Sequence, residues 1–153
     1  MTTPQCTAPL EGDQFNLDNH SSFVLYVCAK EVVRCYTSAL NKLDLTYTQY
    51  LAMLALWKDG DLSVKELGTR LSLDSGTLTP LLKKLEAKGY IERTRSTVDE
   101  RRVTVSLTER GLALREAASD IRTSMSNRIT LTEEEEAQLG ALLAKVLDCL
   151  KSE

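Results

Sequence analysis

The segment that decides the fold spans residues 63–107 and reads SVKELGTRLSLDSGTLTPLLKKLEAKGYIERTRSTVDERRVTVSL. It opens with a capping box, in which the Ser63 hydroxyl caps free helix amides and Glu66 reaches back to the Ser63 amide. Apolar residues then recur at helical spacing on both sides of a gap that is only wide enough for a turn: Val64, Leu67 and Leu71 before it, and Leu78, Leu81, Leu82 and Leu85 after it. Gly89 is a natural end for the second helix. Two short helices this close together predict a helix-turn-helix.

The second half of this segment predicts two short strands. Residues 103–107 (VTVSL) alternate apolar and polar side chains, as a half-buried strand does, and residues 90–95 (YIERTR) alternate more roughly. Between them, residues 96–102 (STVDERR) are polar and charged and form a hairpin loop, or wing. The fold class is therefore mainly α with a small β wing, a winged helix-turn-helix.

Amphipathic helices flank this region on both sides. We expect residues 1–18 to form a flexible arm, residues 45–108 the winged helix-turn-helix, and residues 19–44 and 109–153 a helical dimerisation region, all in one structural domain. Thr46 with Gln49 and Thr132 with Glu135 mark further helix starts, and Thr108 caps another. The terminal helices carry wide apolar stripes that a second copy of the chain would bury. The sequence therefore predicts a homodimer.

Charge points to a polyanionic partner on one surface. The net charge of the 153 residues is −3, which argues against a protein that simply coats nucleic acid. Residues 83–102, however, hold seven Lys and Arg against four Asp and Glu, a local charge of +3. No apolar run approaches the roughly 20 residues of a membrane helix, and the first residues lack a signal-peptide pattern. We expect a cytoplasmic protein with no membrane partner.

The cysteines do not indicate a metal site or a cofactor. Cys6, Cys28, Cys35 and Cys149 form no C-x-x-C pair, and His20 is the only histidine. Reduced thiols are the expectation in the cytoplasm. Cys28 and Cys35 lie seven residues apart on one helix face, where they are expected to fill core or interface. We expect no metal, no cofactor and no catalytic residue.

Several motifs resemble the MarR family of winged-helix repressors. They are residues 73–85 (LDSGTLTPLLKKL), then Asp99-Glu100-Arg101 and Leu107-Thr108. Upstream, residues 17–19 (LDN), 23–26 (FVLY) and 45–50 (LTYTQY) are similar to the OhrR-type branch, which senses organic hydroperoxides and related oxidants through a cysteine. The resemblance covers roughly residues 17–108, and the C-terminal helices match in pattern only.

The resemblance implies a dimer that binds a pseudo-palindromic operator in double-stranded DNA. The second helix of the helix-turn-helix would enter the major groove and the wing the minor groove, with Arg101 at the wing tip. Hydroxyls and lysines suit phosphates and base edges, and arginine suits a narrow minor groove. Asp99 would orient Arg101 or shape the hairpin. The DNA-binding residues implied are Ser75, Thr77, Thr79, Lys83, Lys84, Arg95, Asp99 and Arg101.

Pro80 leads to two different predictions for the first residue of that helix. Proline favours the first helical position, so the residues alone predict a start at Thr79-Pro80. The family begins the helix nearer Ser75. A distorted first turn would reconcile the two.

The resemblance also places a serine, Ser22, where the branch has its reactive cysteine. Tyr26, Tyr36 and Tyr47 match the tyrosines of that redox-sensing pocket. A cysteine near a helix start is activated as a thiolate and is oxidised by peroxide. Serine is not oxidised in this way, so the chain as written should bind DNA and ignore peroxide at that position. Either a cysteine has been replaced by Ser22, or the regulator senses by other means.

The function predicted is a repressor of oxidative-stress genes, with organic hydroperoxide or another oxidant as effector. The alternative within the family is release from DNA by a small-molecule ligand. A thiol peroxidase is disfavoured, because the nucleophile and a Gly-rich phosphate loop are missing and His20 is the only histidine. A winged-helix module that binds protein instead of DNA is the remaining alternative.

Overall fold

The computed structural model describes Leu17 and residues 20–95, 102–126, 128 and 130–152. The helices in this part of the chain are α1 (Ser21–Asn41), α2 (Tyr47–Asp59), α3 (Val64–Leu71), α4 (Ser75–Ala87), α5 (Glu109–Ser126) and α6 (Glu133–Lys151). The strands are β1 (Leu62–Ser63), β2 (Ile91–Arg95) and β3 (Val103–Leu107). The mainly helical winged-helix fold is confirmed.

Local side-chain caps set the starts of three helices, as predicted. Capping boxes precede α2, α3 and α6, at Thr46, Ser63 and Thr132. At Ser63 the hydroxyl accepts from the Glu66 amide at 3.2 Å, and the Glu66 carboxylate accepts from the Ser63 amide at 2.8 Å. Each box satisfies amides that have no partner inside the helix.

The sheet has three antiparallel strands in the order β1-β3-β2. In the β2–β3 hairpin, Ile91 pairs with Leu107. The two-residue strand β1 was not predicted, and it pairs Leu62 with Val105 on the other side of β3. Val105, on the central strand, is fully buried. The base of the wing is thus joined to the start of α3 as well as to the end of α4.

The hydrophobic core lies in the winged-helix part of the chain. Its fully buried large side chains come from α1 to α4 and the sheet: Leu40, Met53, Leu56, Leu67, Leu78, Leu82, Leu85, Ile91 and Val105. The second half of α5 adds further buried residues, Ala118, Ile121 and Met125. This packing fixes α4 against the rest of the helix-turn-helix.

The outer helices, in contrast, leave apolar side chains exposed. Helix α6 has no buried residue, and Leu40 is the only buried residue of α1. The exposed stripe of α6 comprises Leu139, Leu142, Leu143, Val146, Leu147 and Leu150. None of the helices in the described ranges is both long and apolar enough to cross a membrane.

Helix α1 ends at Asn41, although apolar residues continue to Leu43, and a turn follows. Asp44 adopts a left-handed conformation, with φ of 51°, which non-glycine residues rarely adopt. The Leu45 amide then donates to the Leu40 carbonyl at 3.0 Å, and α2 begins two residues later. The apolar pattern continues through the turn because Leu43 and Leu45 both pack on the core.

Candidate nucleic-acid interface

The start of α4 is fixed by Asp74. One carboxylate oxygen accepts from the Thr77 amide at 2.8 Å, and the other accepts from the Thr77 hydroxyl at 3.1 Å. These hydrogen bonds lower the pKa of Asp74, so the carboxylate is held in its charged form at the helix N-terminus. The residue-based prediction of a start at Thr79-Pro80 is therefore wrong.

Pro80 lies inside α4, at the sixth helical position. There it gives up a hydrogen bond to the carbonyl of Gly76. Leucines at 78, 81, 82 and 85 are buried on the core side of this helix. That burial and the Asp74 cap outweigh the local preference of proline for a helix start.

The DNA-binding residues predicted on α4 share its solvent face. The four buried leucines face the core, and Ser75, Thr77, Thr79, Lys83 and Lys84 are all exposed. Helix α4 therefore exposes three hydroxyl-bearing side chains and two ammonium groups from one rigid element, with the Thr77 hydroxyl also bound to Asp74. This is the chemistry that binds phosphates and base edges.

The wing residues lie partly outside the described ranges. Arg95, the last residue of β2, is exposed. Asp99 and Arg101 fall among the residues that are not described, so their placement stays a prediction. Arg93, one pleat earlier than Arg95, donates to a Glu86 carboxylate oxygen through Nε at 3.1 Å and Nη2 at 2.5 Å. These bonds lower the pKa of Glu86 and attach β2 to the last turns of α4.

A basic cleft that the sequence did not predict lies between α3, α4 and the wing base. The cleft has a volume of about 510 Å³, and Lys65, Thr79, Arg93 and Arg102 are among its lining residues. Arg102 lies 3.8 Å from the Glu66 carboxylate. Arg102 is the last residue of the predicted wing loop. Lys65 lies near it because the short strand β1, which was not predicted, brings the start of α3 to the wing base.

A stack of aromatic rings joins α1 to α2. The centroid of Tyr36 lies 5.1 Å from that of Tyr47 and 5.7 Å from that of Tyr50. Tyr50 in turn lies 6.4 Å from Trp57 in an edge-to-face contact. Burial, and secondarily the neighbouring Tyr36, raise the pKa of Tyr47. Two of the three tyrosines predicted for the redox-sensing pocket are thus in contact.

Ser22 lies far from those two tyrosines within one chain. It is the second residue of α1 and is exposed, and Tyr26 lies exposed one helical turn later. Tyr36 follows Ser22 by fourteen residues of the same helix, which places it about 21 Å away at 1.5 Å per residue. A single chain therefore brings together Ser22 with Tyr26, and Tyr36 with Tyr47, but not all four residues.

A second cleft, of about 540 Å³, separates α2 from α5. Its walls include Tyr50, Leu54 and Trp57, and the cations Lys58 and Arg115 line the same cleft. Neither cation forms an ion pair with another residue in the described part of the chain. The cleft combines an apolar floor with two available positive charges.

Comparison with known proteins assigns the chain to a family. Residues 34–117 match the family described as "Transcriptional regulator SarA/Rot", which is more than half of the chain. The chain belongs to this family. The SarZ regulator of Staphylococcus epidermidis is 47 % identical over 123 residues, covering 80 % of this chain and 83 % of SarZ. The organic hydroperoxide resistance transcriptional regulator of Bacillus subtilis is 44 % identical over 138 residues, covering 90 % of this chain and 94 % of that protein.

A solved structure agrees with the sequence relatives. The chain resembles overoxidized AbfR bound to DNA, with a TM-score of 0.77 at 30 % identity, over 90 % of this chain and 97 % of AbfR. AbfR is a protein of Staphylococcus epidermidis. The prediction of a MarR-type winged-helix transcriptional regulator is confirmed, and the family and its relatives are regulators rather than enzymes.

Proposed function

We propose that this transcriptional regulator is a homodimer that represses oxidative-stress genes by binding a pseudo-palindromic operator. The observation that carries the proposal is the solvent face of α4, where Thr77, Thr79, Lys83 and Lys84 are exposed while the leucines are packed in the core. A rigid, capped helix with this surface can fit the major groove as a recognition helix. The likeness to a regulator solved on DNA supports the same use.

The outer helices support the dimer. Val24, Leu25 and Tyr26 of α1 are exposed, as is the whole stripe of α6. Exposed apolar stripes of this kind mark interaction sites. A second copy is the occupant proposed, because a pseudo-palindromic operator needs two recognition helices about 34 Å apart.

The proposed redox-sensing pocket uses both copies. Ser22 and Tyr26 of one chain cannot reach Tyr36 and Tyr47 of the same α1–α2 pair, so a pocket that contains all four combines residues of two chains. A cysteine at position 22 would supply the oxidisable sulfur there, and serine supplies none. Similarity to the Bacillus subtilis regulator named for organic hydroperoxide resistance supports an oxidant of this class as effector.

The test compares the chain with its Ser22→Cys variant. A duplex is first selected from a random pool by the unmodified chain, and its release is then titrated with an organic hydroperoxide. We expect both proteins to bind the duplex as dimers, and only the Ser22→Cys protein to release it on oxidation. Failure to select any duplex would refute DNA binding, and equal release from both proteins would refute the role of position 22.

A small-molecule effector is the second candidate, and the cleft between α2 and α5 favours it. Its apolar floor and the cations Lys58 and Arg115 suit an aromatic carboxylate. The test is release of the selected duplex by a phenolic acid from the Ser22 protein, with Arg115→Gln as the variant that should lose the response. No release at any concentration that leaves the protein folded would refute this candidate.

A further inference from the structure

Two side chains connect the residues at the C-terminal end of α4 (the α4 exit, Lys88 to Tyr90) to the turn between α1 and α2. Lys88, the residue that caps the C-terminus of α4, donates through Nζ to the Asp44 carbonyl and pairs with the Asp44 carboxylate at 3.2 Å. The same ammonium lies 3.3 Å from Oε1 of Gln49. Tyr90, two residues further on, donates its hydroxyl to the Leu43 carbonyl at 3.2 Å. These polar interactions join segments that are far apart in the sequence.

The acceptors of Lys88 belong to a turn with a defined conformation. Gln49 is 2 % exposed, and its Oε1 also accepts from the Thr46 amide at 3.0 Å, which closes the capping box of α2. Asp44 holds the left-handed conformation that ends α1. The direction of the Asp44 carbonyl depends on that conformation, so Lys88 can keep its hydrogen bonds only while the turn stays as it is.

The other side of this turn is held by the aromatic stack. Tyr47 is the first residue of α2, directly after Thr46, and its ring packs on Tyr36 of α1. The segment from Leu43 to Gln49 is therefore fixed between the Tyr36–Tyr47 contact and the α4 exit. A shift of the Tyr47 backbone would move the adjacent Thr46 and, through the capping box, Gln49, whose Oε1 is one of the acceptors of Lys88.

We propose that Lys88 and Tyr90 are positioning residues that couple the Tyr36–Tyr47 contact to the orientation of α4. Both residues follow the C-terminus of α4 and are largely shielded from solvent: the Lys88 side chain is 24 % exposed and Tyr90 is 5 % exposed. The coupling gives the aromatic stack control over how α4 meets DNA, a consequence that rests on the proposed function of α4. The coupling itself is a property of the chain without DNA.

The Glu86–Arg93 pair offers a matched control. Glu86 of this pair also lies in the last turns of α4, but the pair connects the helix to β2 rather than to the turn at Asp44. Removal of this pair should loosen the wing base without breaking the hydrogen bonds of Lys88. Glu86→Gln therefore perturbs the same end of α4 outside the proposed connection.

The first experiment measures amide hydrogen exchange of Lys88, Gly89 and Tyr90, whose amides bond to carbonyls in the last turns of α4. We expect Tyr36→Leu to speed this exchange at least about fivefold, the lower end of typical coupling. The same substitution should add less than about twofold in a Lys88→Met background, within the error of additivity, and should keep its full effect in Glu86→Gln. Lys88→Arg should restore the response, because it keeps a cation on the same acceptors.

Two outcomes would overturn the coupling. One is exchange at these amides that Tyr36→Leu does not change. The other is a Tyr36→Leu effect that persists undiminished in both Lys88→Met and Tyr90→Phe, the second variant keeping the ring and removing only the hydroxyl. Either result refutes the role of Lys88 and Tyr90 whether or not the protein binds DNA.

The second experiment measures the affinity of the same proteins for the selected duplex. When Tyr36→Leu and Lys88→Met are combined, we expect the loss of affinity to be smaller than the product of the two separate losses. The difference should be a factor of at least about five. The effects of Tyr36→Leu and Glu86→Gln should instead multiply when the two are combined. Coupled exchange in a protein that binds no duplex would refute the proposed function and leave the coupling standing. Duplex binding with uncoupled exchange would refute the coupling and leave the proposed function standing.

Discussion

The indole nitrogen of Trp57 donates a hydrogen bond to the carbonyl oxygen of Gly111 at 2.9 Å, and this bond joins α2 to the first turn of α5. The same turn is held from the other side by Thr108, whose hydroxyl donates to the Gly89 carbonyl at 2.6 Å and accepts from the Gly111 amide at 3.0 Å. Gly111 therefore lies where α5, α2 and the residues after α4 meet. A Cβ at this position would collide with the backbone of Tyr90.

Gly111→Ala should destabilise the protein, because the backbones of Gly111 and Tyr90 are both held by packing and cannot move apart without loss of stability. Forcing an extra carbon into a packed site costs about 1–3 kcal/mol, which outweighs the roughly 0.5–1 kcal/mol that alanine gains over glycine within a helix. Urea unfolding at equilibrium measures the difference. The matched control is Gly140→Ala in α6, where a Cβ meets nothing within 4 Å, and which should raise the free energy of unfolding. Equal effects of the two substitutions would contradict the close approach at Gly111.

Local signals in the sequence were enough to place most helices. At Ser63, Thr46 and Thr132 the capping residues and their partners are three positions apart, so the pattern can be read directly from the chain. Strand β1 escaped prediction because two residues carry no periodicity, and Leu62 becomes a strand only by pairing with Val105. The start of α4 was missed because the local rule for Pro80 was weaker than the Asp74 cap and the leucine face.

The candidate site, too, could be predicted only in part from the sequence. Thr77, Thr79, Lys83 and Lys84 are exposed on α4, the helix to which the family resemblance assigned them, although their contact with DNA stays a prediction. The interaction between Lys88 and Asp44 was not foreseen, because it depends on a left-handed turn and on packing between distant segments. Sequence alone also could not show that Ser22 and Tyr36 are separated by the length of their own helix.

Asp74 should make the stability of the protein depend on pH in the acid range. Its pKa is lowered in the folded state by hydrogen bonds from Thr77, so its contribution is complete above the ordinary value of about 3.9 and is lost as the pH falls through the lower folded value. Asp74→Asn retains a capping oxygen but does not titrate. The free energy of unfolding, measured by urea between about pH 5 and about pH 2, should therefore fall less in the variant. An equal fall in both proteins would contradict the role of the Asp74 charge.

Tyr36→Phe should lower the pKa of Tyr47. Burial is the larger cause of the raised pKa and Tyr36 is the smaller one, so removal of the Tyr36 hydroxyl should bring the pKa down without returning it to the ordinary value of about 10. A 3-fluorotyrosine at position 47, followed by ¹⁹F NMR during a pH titration, measures this change, with free 3-fluorotyrosine as the reference. Because the folded pKa is raised, stability from this group is present below the ordinary pKa and is lost as the pH rises through the folded value. A Tyr47 pKa that does not move would show that the two hydroxyls do not interact.

Lys84 and Arg101 should affect DNA binding in different ways. Lys84 on the exposed face of α4 is predicted to neutralise a phosphate, so Lys84→Gln should weaken binding to every duplex alike and reduce the salt slope by about 0.9 for each phosphate that is no longer neutralised. Arg101 is predicted to enter the minor groove from the wing tip, and narrow A·T-rich grooves attract arginine. Arg101→Ala should therefore cost about 1–3 kcal/mol on the selected duplex and much less on one whose A·T-rich flanks are replaced by G·C pairs. Titrations of both variants against both duplexes at several salt concentrations separate the two roles. An Arg101→Ala protein whose affinity falls equally for both duplexes would place Arg101 on the phosphate backbone instead.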